Sequence, residues 1–429
     1  MALYENHQEQ EQIAVLAGID TGEYDAEYSM RELEGLAEAS GARVAAVMIK
    51  KRRELEAATL LGSGAMEELR EVCRANEADL IIFDCELTPS QQRNIADLTD
   101  TAVLDRTMLI LDIFAQRARS SEGRIQVELA QLKYMLPRLS GKGMSLSRLG
   151  GGIGTRGPGE TKLETDRRHV RRRIESLEGK LRTIEKQRKR IRDRRRHDGF
   201  QTVALVGYTN AGKSTLMNAL TDAGVLVRDQ LFATLDPTAR ALTLPDMKTV
   251  ILIDTVGFIS RLPHQLVQAF HSTLEVAADA DLILNVCDAS DPMAYSQIDV
   301  TRSLLDELGC AGIPVIHVMN KCDKLSVAGE PEMMRDCVMI SALERSGLDH
   351  LLQKISDSLG TYSRVRFFVP FAEGGKLARI REQCAVLSEA YTPEGYSITA
   401  MADARLLSEV GVSYELLPNG PAGGENEKI

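Results

Sequence analysis

Residues 207–214 read GYTNAGKS, two glycines followed by lysine and serine in the spacing GxxxxGK[ST]. That spacing serves phosphate binding. Gly207, Tyr208, Thr209, Asn210, Ala211 and Gly212 would turn backbone N–H groups inward and form a concave anion site at a helix N-terminus. Lys213 is expected to reach the β- and γ-phosphates. Ser214 is expected to offer its hydroxyl oxygen to Mg²⁺. The setting fits, because the apolar run TVALVG (202–207) precedes the loop and the helical STLMNALT follows it.

A second segment selects the base. NKCD supplies Asn320, Lys321, Cys322 and Asp323 after the apolar run PVIHVMN. Guanine presents N1–H and an exocyclic amino group on one edge, and the Asp323 carboxylate can accept from both. Adenine offers an acceptor at N1 and no amino group at C2. A site built on such buried bonds rejects the wrong partner by roughly 10⁴-fold or more. Asn320 would bond the base and brace the phosphate loop, and the stem of Lys321 would lie over the base. SAL (Ser341, Ala342 and Leu343) follows the next apolar run and can add backbone N–H contacts to the base oxygen. DTVG (Asp254, Thr255, Val256 and Gly257) would hold Mg²⁺ through water at Asp254 and sense the γ-phosphate at the Gly257 N–H. Between lies DQLFATLDPTAR, with Phe232, Ala233, Thr234, Leu235 and Asp236. A threonine there should bind Mg²⁺ only in the triphosphate state, and Thr234 and Thr238 both qualify. Loss of the γ-phosphate would release both loops.

These segments need a scaffold. Between 199 and 363, TVALVG, TVILIDTVG (249–257), DLILNVCD (281–288), PVIHVMN (314–320) and CVMISA (337–342) are near-continuous apolar runs. Runs of that kind belong to a parallel sheet covered on both faces. A second α/β region spans 1–120, with strands at 13–19, 42–49 and 80–86 and helices near 25–39, 64–75 and 90–97. No motif there has nameable chemistry. A small α/β region follows at 364–429, with strands at 365–370 and 396–402, a helix near 374–390 and a disordered tail.

Residues 121–198 are different. Ile125, Leu129, Leu132, Leu136 and Leu139 step by four and three. So do Val170, Ile174, Leu177, Leu181, Ile184 and Ile191, with Arg188 at the one polar step. This is a coiled-coil seam, and two such helices fit an antiparallel hairpin. Pro137 should kink the first arm. Residues 138–197 hold twenty Lys and Arg against seven acids, although the whole chain carries −10. A polyanion partner is the natural reading of that asymmetry. The Gly-rich connector 141–164 sets Arg148, Arg156 and Lys162 among Gly151, Gly152, Gly154 and Gly157, and Arg171, Arg172 and Arg173 follow. Glycine permits close backbone approach and arginine pairs with phosphate. The stretch contains no Phe, Tyr or Trp, so shape and phosphate readout of RNA are expected rather than base stacking.

The five nucleotide motifs together resemble translation-factor-related GTPases. With GGGIGTRGPGE (150–160), the basic hairpin and FATLDPTAR added, nearly the whole chain resembles the HflX family of bacterial ribosome-associated GTPases. The resemblance implies a P-loop G domain preceded by an α/β domain and a helical hairpin. It places the switch threonine after an aromatic-x pair, at Thr234. It further implies binding of the large ribosomal subunit and its RNA, GTP hydrolysis, and splitting or rescue of stalled or idle ribosomes under stress. ATP hydrolysis, also attributed to this family, has no counterpart in the motifs. Phe258 occupies the position where Ras-like enzymes carry a water-orienting Gln, so hydrolysis should be slow without a partner, and no catalytic group is identified.

Two other classes compete. One is a regulatory switch acting on a protein or membrane, although the hairpin lacks the bulky apolar face of a membrane helix. The other is an ATP- or GTP-driven RNA remodeller. No run of about 18 apolar residues points to a membrane span. The polar, acidic start lacks a signal-peptide pattern. Seven scattered cysteines without a CxxC read as reduced thiols in a cytoplasmic protein; a monomer is the separate expectation.

Overall fold

The computed structural model describes residues 11–52, 54–139, 162–197, 200–221, 238–245, 248–261, 277–325, 337–359, 362–403 and 411–417. These fall into two compact units. One holds the described residues up to 184 together with 256–261, and the other holds 185–221, 238–255 and those from 277 onward.

The first unit contains a parallel sheet of β1 (Ile13–Asp20), β2 (Arg43–Lys51), β3 (Leu80–Phe83) and β4 (Ala102–Asp105), in the order β2-β1-β3-β4. Three of these strands follow the apolar runs. The fourth, AVLD, is too short and mixed to stand out, and pairing with β3 defines it. Side chains alternate across the sheet. Ala14, Leu16 and Ile82 pack under α1 (Ala26–Ala39) and α4 (Arg106–Arg117). Val15, Ala17, Ile81 and Phe83 pack under α2 (Ser63–Ala75) and α3 (Pro89–Thr99). Local chemistry sets the helix starts. Asp25 and Asp105 cap α1 and α4, and Thr88 with Gln91 forms a capping box ahead of α3.

Helix α5 (Ser121–Met135) ends where Pro137 enters a 3₁₀ turn, Leu136–Arg138. Leu136 and Leu139 therefore lie beyond the helix, and the expected seam is shorter on this arm. The face of α5 bearing Val127, Ala130 and Tyr134 joins the core beneath the sheet. Helix α6 (Lys162–His197) runs unbroken for 36 residues. Its seam follows the spacing from Val170 to Arg188, and the Ile191 side chain lies outside what is described. Val170 and Leu177 are buried, and Ile174, Leu181, Ile184 and Arg188 are half-buried among mostly exposed neighbours. Arg173 grips Glu128 with Nε and Nη2 at 2.6 and 2.8 Å, and Lys133 pairs with Glu178 at 2.7 Å.

The second unit holds β5 (Thr202–Val206), β6 (Thr238–Thr243), β7 (Thr249–Asp254), β8 (Leu282–Asp288), β9 (Val315–Asn320) and β10 (Val338–Met339). Their order is β10-β9-β8-β5-β7-β6, all parallel except β6 against β7. Strand β6 was not expected, because TARALT is a mostly exposed edge with one buried side chain. Helices α7 (Lys213–Thr221), α8 (Ala294–Glu307) and α9 (Leu348–Leu359) flank the sheet. Leu205, Leu252, Leu284, Val318, Leu216 and Leu351 lie together in its core.

A four-stranded antiparallel sheet closes the chain. It comprises β11 (Tyr362–Pro370), β12 (Ala385–Thr392), β13 (Gly395–Asp403) and β14 (Ser413–Leu417), in the order β12-β13-β11-β14, with α10 (Gly374–Gln383) on one face. The helix expected to run to 390 stops at Gln383. AVLSEAYT has helix-forming Ala, Leu and Glu, but pairing with β13 overrides that weak preference. Among the described residues no helix is long and apolar enough to cross a membrane.

Candidate nucleotide-binding site

The phosphate loop bridges β5 and α7. Its shape depends on glycine at both ends. Gly207 has φ +138°, and a Cβ there would sit 2.0 Å from the Val286 carbonyl oxygen. Gly212 has φ +91°, and a Cβ would sit 2.2 Å from Asn320 Nδ2. Asn210 takes the left-handed region at φ +60°, which a short polar side chain tolerates. Lys213 is buried, and its Nζ donates to the carbonyls of Gly207 at 2.9 Å and Tyr208 at 2.7 Å. Burial pushes its pKa down to about 8, while Asp254 and Cys287 pull the other way.

Ser214 Oγ donates to Asp254 Oδ2 at 2.7 Å. The helix start and the end of β7 thus bring a hydroxyl and a carboxylate together. Both are hard oxygen donors of the kind Mg²⁺ takes, so the donor set fits the expected metal. Thr255 turns away, donating from Oγ1 to the Leu205 carbonyl at 2.7 Å.

The segments expected to select the base converge on the same loop. Asn320, 2% exposed, spans two elements. Its Nδ2 donates to the Ala211 carbonyl at 2.9 Å, and its Oδ1 accepts from the Ala342 N–H at 2.9 Å. This is the brace expected from NKCD, and it also fixes SAL. Ser341 Oγ donates to Asp323 Oδ1 at 2.5 Å and accepts from the Glu344 N–H at 3.2 Å. One hydroxyl therefore orients the carboxylate expected to read the base. The Cys322 N–H bonds to the Ile340 carbonyl, and Leu343 is 77% exposed. Two neighbours were missed by sequence reasoning. Asp288 pairs with Lys321 at 2.7 Å, and Ser290 holds Asp288. The available signal was an acid ending the strand beside the NKCD strand.

Other expected residues lie elsewhere. Phe232, Ala233, Thr234, Leu235 and Asp236 are outside the described residues, as are Arg148, Gly151, Gly152, Gly154, Arg156 and Gly157. Lys162 is the first residue of α6. Arg171, Arg172 and Arg173 are exposed on α6, but Arg173 is committed to Glu128.

The stretch after Thr255 belongs to the first unit. Val256 and Ile259 sit in the core beneath β1, and Phe258 is 2% exposed. Arg261 Nη1 donates to Asp84 Oδ2 at 2.9 Å, with its guanidinium 4.0 Å over the Tyr24 ring. Arg106 donates to Asp84 at 2.8 Å, to Glu32, and to the Ser260 carbonyl at 3.0 Å.

The low pKa of Lys213 has a consequence for binding. An anionic phosphate seated beside the amine would favour its charged form and raise its pKa above about 8. Such a complex would hold more protons than the unliganded chain in the window above about 8. GDP affinity should fall as pH rises through that window, by up to about ten-fold per unit. Calorimetry in buffers of different ionisation enthalpy should register proton uptake. Equal heats across buffers at pH 8.5 would contradict the assignment.

Three family models match the chain. One described as GTP-binding GTPase N-terminal covers residues 27–115, GTP-binding GTPase Middle Region covers 117–195, and 50S ribosome-binding GTPase covers 202–321. GTPase HflX of Caldanaerobacter subterraneus subsp. tengcongensis is 48% identical over 388 residues, 90% of each chain. The protein of the same name from Alkalihalophilus pseudofirmus is 45% identical over 410 residues, 92% of this chain and 97% of the relative. That of Escherichia coli is 42% identical over 373 residues, 85% of this chain and 87% of the relative.

Proposed function

Because this chain belongs to the HflX family and hydrolyses GTP, we propose that it acts on the large ribosomal subunit, with helix α6 meeting ribosomal RNA. The observation that carries this reading is the division of α6 into two sides. Val170 and Leu177 on its seam are buried, whereas Arg171 and Arg172 stand exposed. The matched description of residues 202–321 names 50S binding in the same direction. The Gly-rich connector expected at 141–164, whose last three residues instead open α6, is the proposed probe of that RNA, with Arg148, Arg156 and Lys162. Splitting or rescue of stalled or idle ribosomes under stress is the proposed output, and the cytoplasm the proposed place.

Within the site, Lys213 and the loop N–H groups would bind the phosphates. Asp323, aimed by Ser341, would accept from guanine. Ser214 and Thr234 would ligate Mg²⁺, with Asp254 acting through water. When bound, that ion offsets negative charge on the β- and γ-phosphates. Phe258 cannot orient a water, so the ribosome is proposed to order the switch segments and raise a slow basal rate.

Sedimentation with purified 50S subunits tests this directly. Binding should be stronger with a non-hydrolysable GTP analogue than with GDP, and should weaken steeply with salt. The pair Arg171→Glu and Arg172→Glu should abolish co-sedimentation and leave GTP binding intact. Arg173 is left alone, because its pairing with Glu128 would confound the result. Unchanged sedimentation of that variant would remove α6 from the interface. A hydrolysis rate indifferent to 50S subunits would remove the activation.

A further inference from the structure

The carboxyl ends of β8 and β9 lie side by side, with Asp288 opposite Asn320. Open parallel sheets bind ligands at this end. Both oxygens of Asp288 are engaged. Oδ1 accepts from the Ser290 N–H at 2.9 Å and from Ser290 Oγ at 2.6 Å. Oδ2 meets Lys321 Nζ at 2.7 Å, with the two side chains 20% and 18% exposed. Burial works against the ionised form, yet the bonds from Lys321 and Ser290 hold the Asp288 carboxyl below its ordinary value. Lys321 itself has φ +64° and ψ +33°, a left-handed conformation unfavourable to a residue with a Cβ. Its amine is thus tied at one end and its backbone at the other. A lysine restrained in this way has few rotamers left to lose when a ligand arrives.

We infer that Asp288 is a positioning residue for nucleotide retention. It fixes Lys321 so that the aliphatic stem forms one wall of the base pocket, beside the Asn320 brace and the Asp323 carboxylate. This rests on the guanine-pocket reading and deepens it. Asp323 selects the base, and Asp288, acting through Lys321, sets how long the base stays. The ammonium is neutralised by Asp288, so Lys321 contributes an apolar surface while Lys213 contributes the charge at the phosphates.

Release of a fluorescent GDP analogue from the full chain, chased with excess GDP, reads this out. Asp288→Ala and Asp288→Asn should each speed release about ten-fold, the scale of one charge-assisted bond. Asp288→Glu should recover part of the loss. Lys321→Ala should match Asp288→Ala. The double variant should be no faster than Lys321→Ala alone, because the two act as one unit. Preference for GDP over ADP should hold throughout, which loosening of the whole sheet would not allow. Asp288→Asn preserves shape and, with Ser290→Ala, serves if Asp288→Ala fails to fold. Release from Asp288→Asn within about two-fold of the unsubstituted chain overturns the assignment, as do single effects that multiply in the double variant. Equal binding of ADP and GDP by the unsubstituted chain overturns the guanine reading itself, and this assignment with it.

Discussion

Asp323→Asn should weaken GDP and GTP binding by roughly 10³-fold or more, and xanthine nucleotides should become the better ligands. A carboxylate offers two acceptors to the two donors on the guanine edge. An amide offers one acceptor and one donor. Guanine then meets a donor with its own amino group and leaves a buried polar group unpaired. Xanthine carries a carbonyl where guanine carries the amine, so the amide matches it. The effect should be large because the carboxylate is held in place. Ser341 Oγ donates to Asp323 at 2.5 Å and is itself held by the Glu344 N–H. Equilibrium titration with GDP, ADP and xanthosine diphosphate settles the matter. A variant that still prefers GDP would mean that another group reads the base.

The second large effect concerns stability. Arg106→Met should destabilise the N-terminal α/β unit by about 3–5 kcal/mol, the cost of leaving buried charge without its partner. The Arg106 side chain is 3% exposed, against 2% for Asp84 and 10% for Glu32. Removing the guanidinium leaves Arg261 as the remaining cation on Asp84 among the described contacts, and it withdraws the cation from Glu32. Burial already raises the Glu32 pKa, against the pull of Arg106 and Ser260. A raised carboxylate contributes stability that is present below its unfolded pKa and lost as pH rises through its folded pKa. The variant should therefore lose least in mild acid and most at neutral pH. Amide exchange of peptides from β1 and β3 checks both statements. Protection unchanged at pH 7 would show the cluster to be energetically idle.

What was legible in the sequence follows from distance along the chain. The phosphate loop is eight consecutive residues, NKCD is four, and each follows an apolar run that announces its strand. The seam of α6 was equally readable, down to the half-buried Arg188, because a helix repeats its own period. Legibility failed where structure comes from remote pairing. Strands β4, β6, β12 and β14 are short, exposed or compositionally helical, and they exist because a neighbouring strand supplies hydrogen bonds. The cluster around Asp84 was invisible for the same reason, since Arg106 reaches Glu32 across 74 positions and Arg261 reaches Asp84 across 177. Asp288 sits 33 positions from Lys321, and only the adjacency of β8 and β9 joins them.

The final sheet bears on any shortened version of this protein. Strand β14 is the last described segment, yet it pairs with β11 from Arg364 to Phe368. A stop codon placed just before Ser413 would strip one flank of an interior strand and bare a row of unsatisfied amides. Open flanks of this kind recruit strands from neighbouring molecules. Such a truncation moves the open edge from the exposed strand β14 to the apolar strand β11 and should aggregate more readily than a chain stopped after Leu417, which keeps β11 paired.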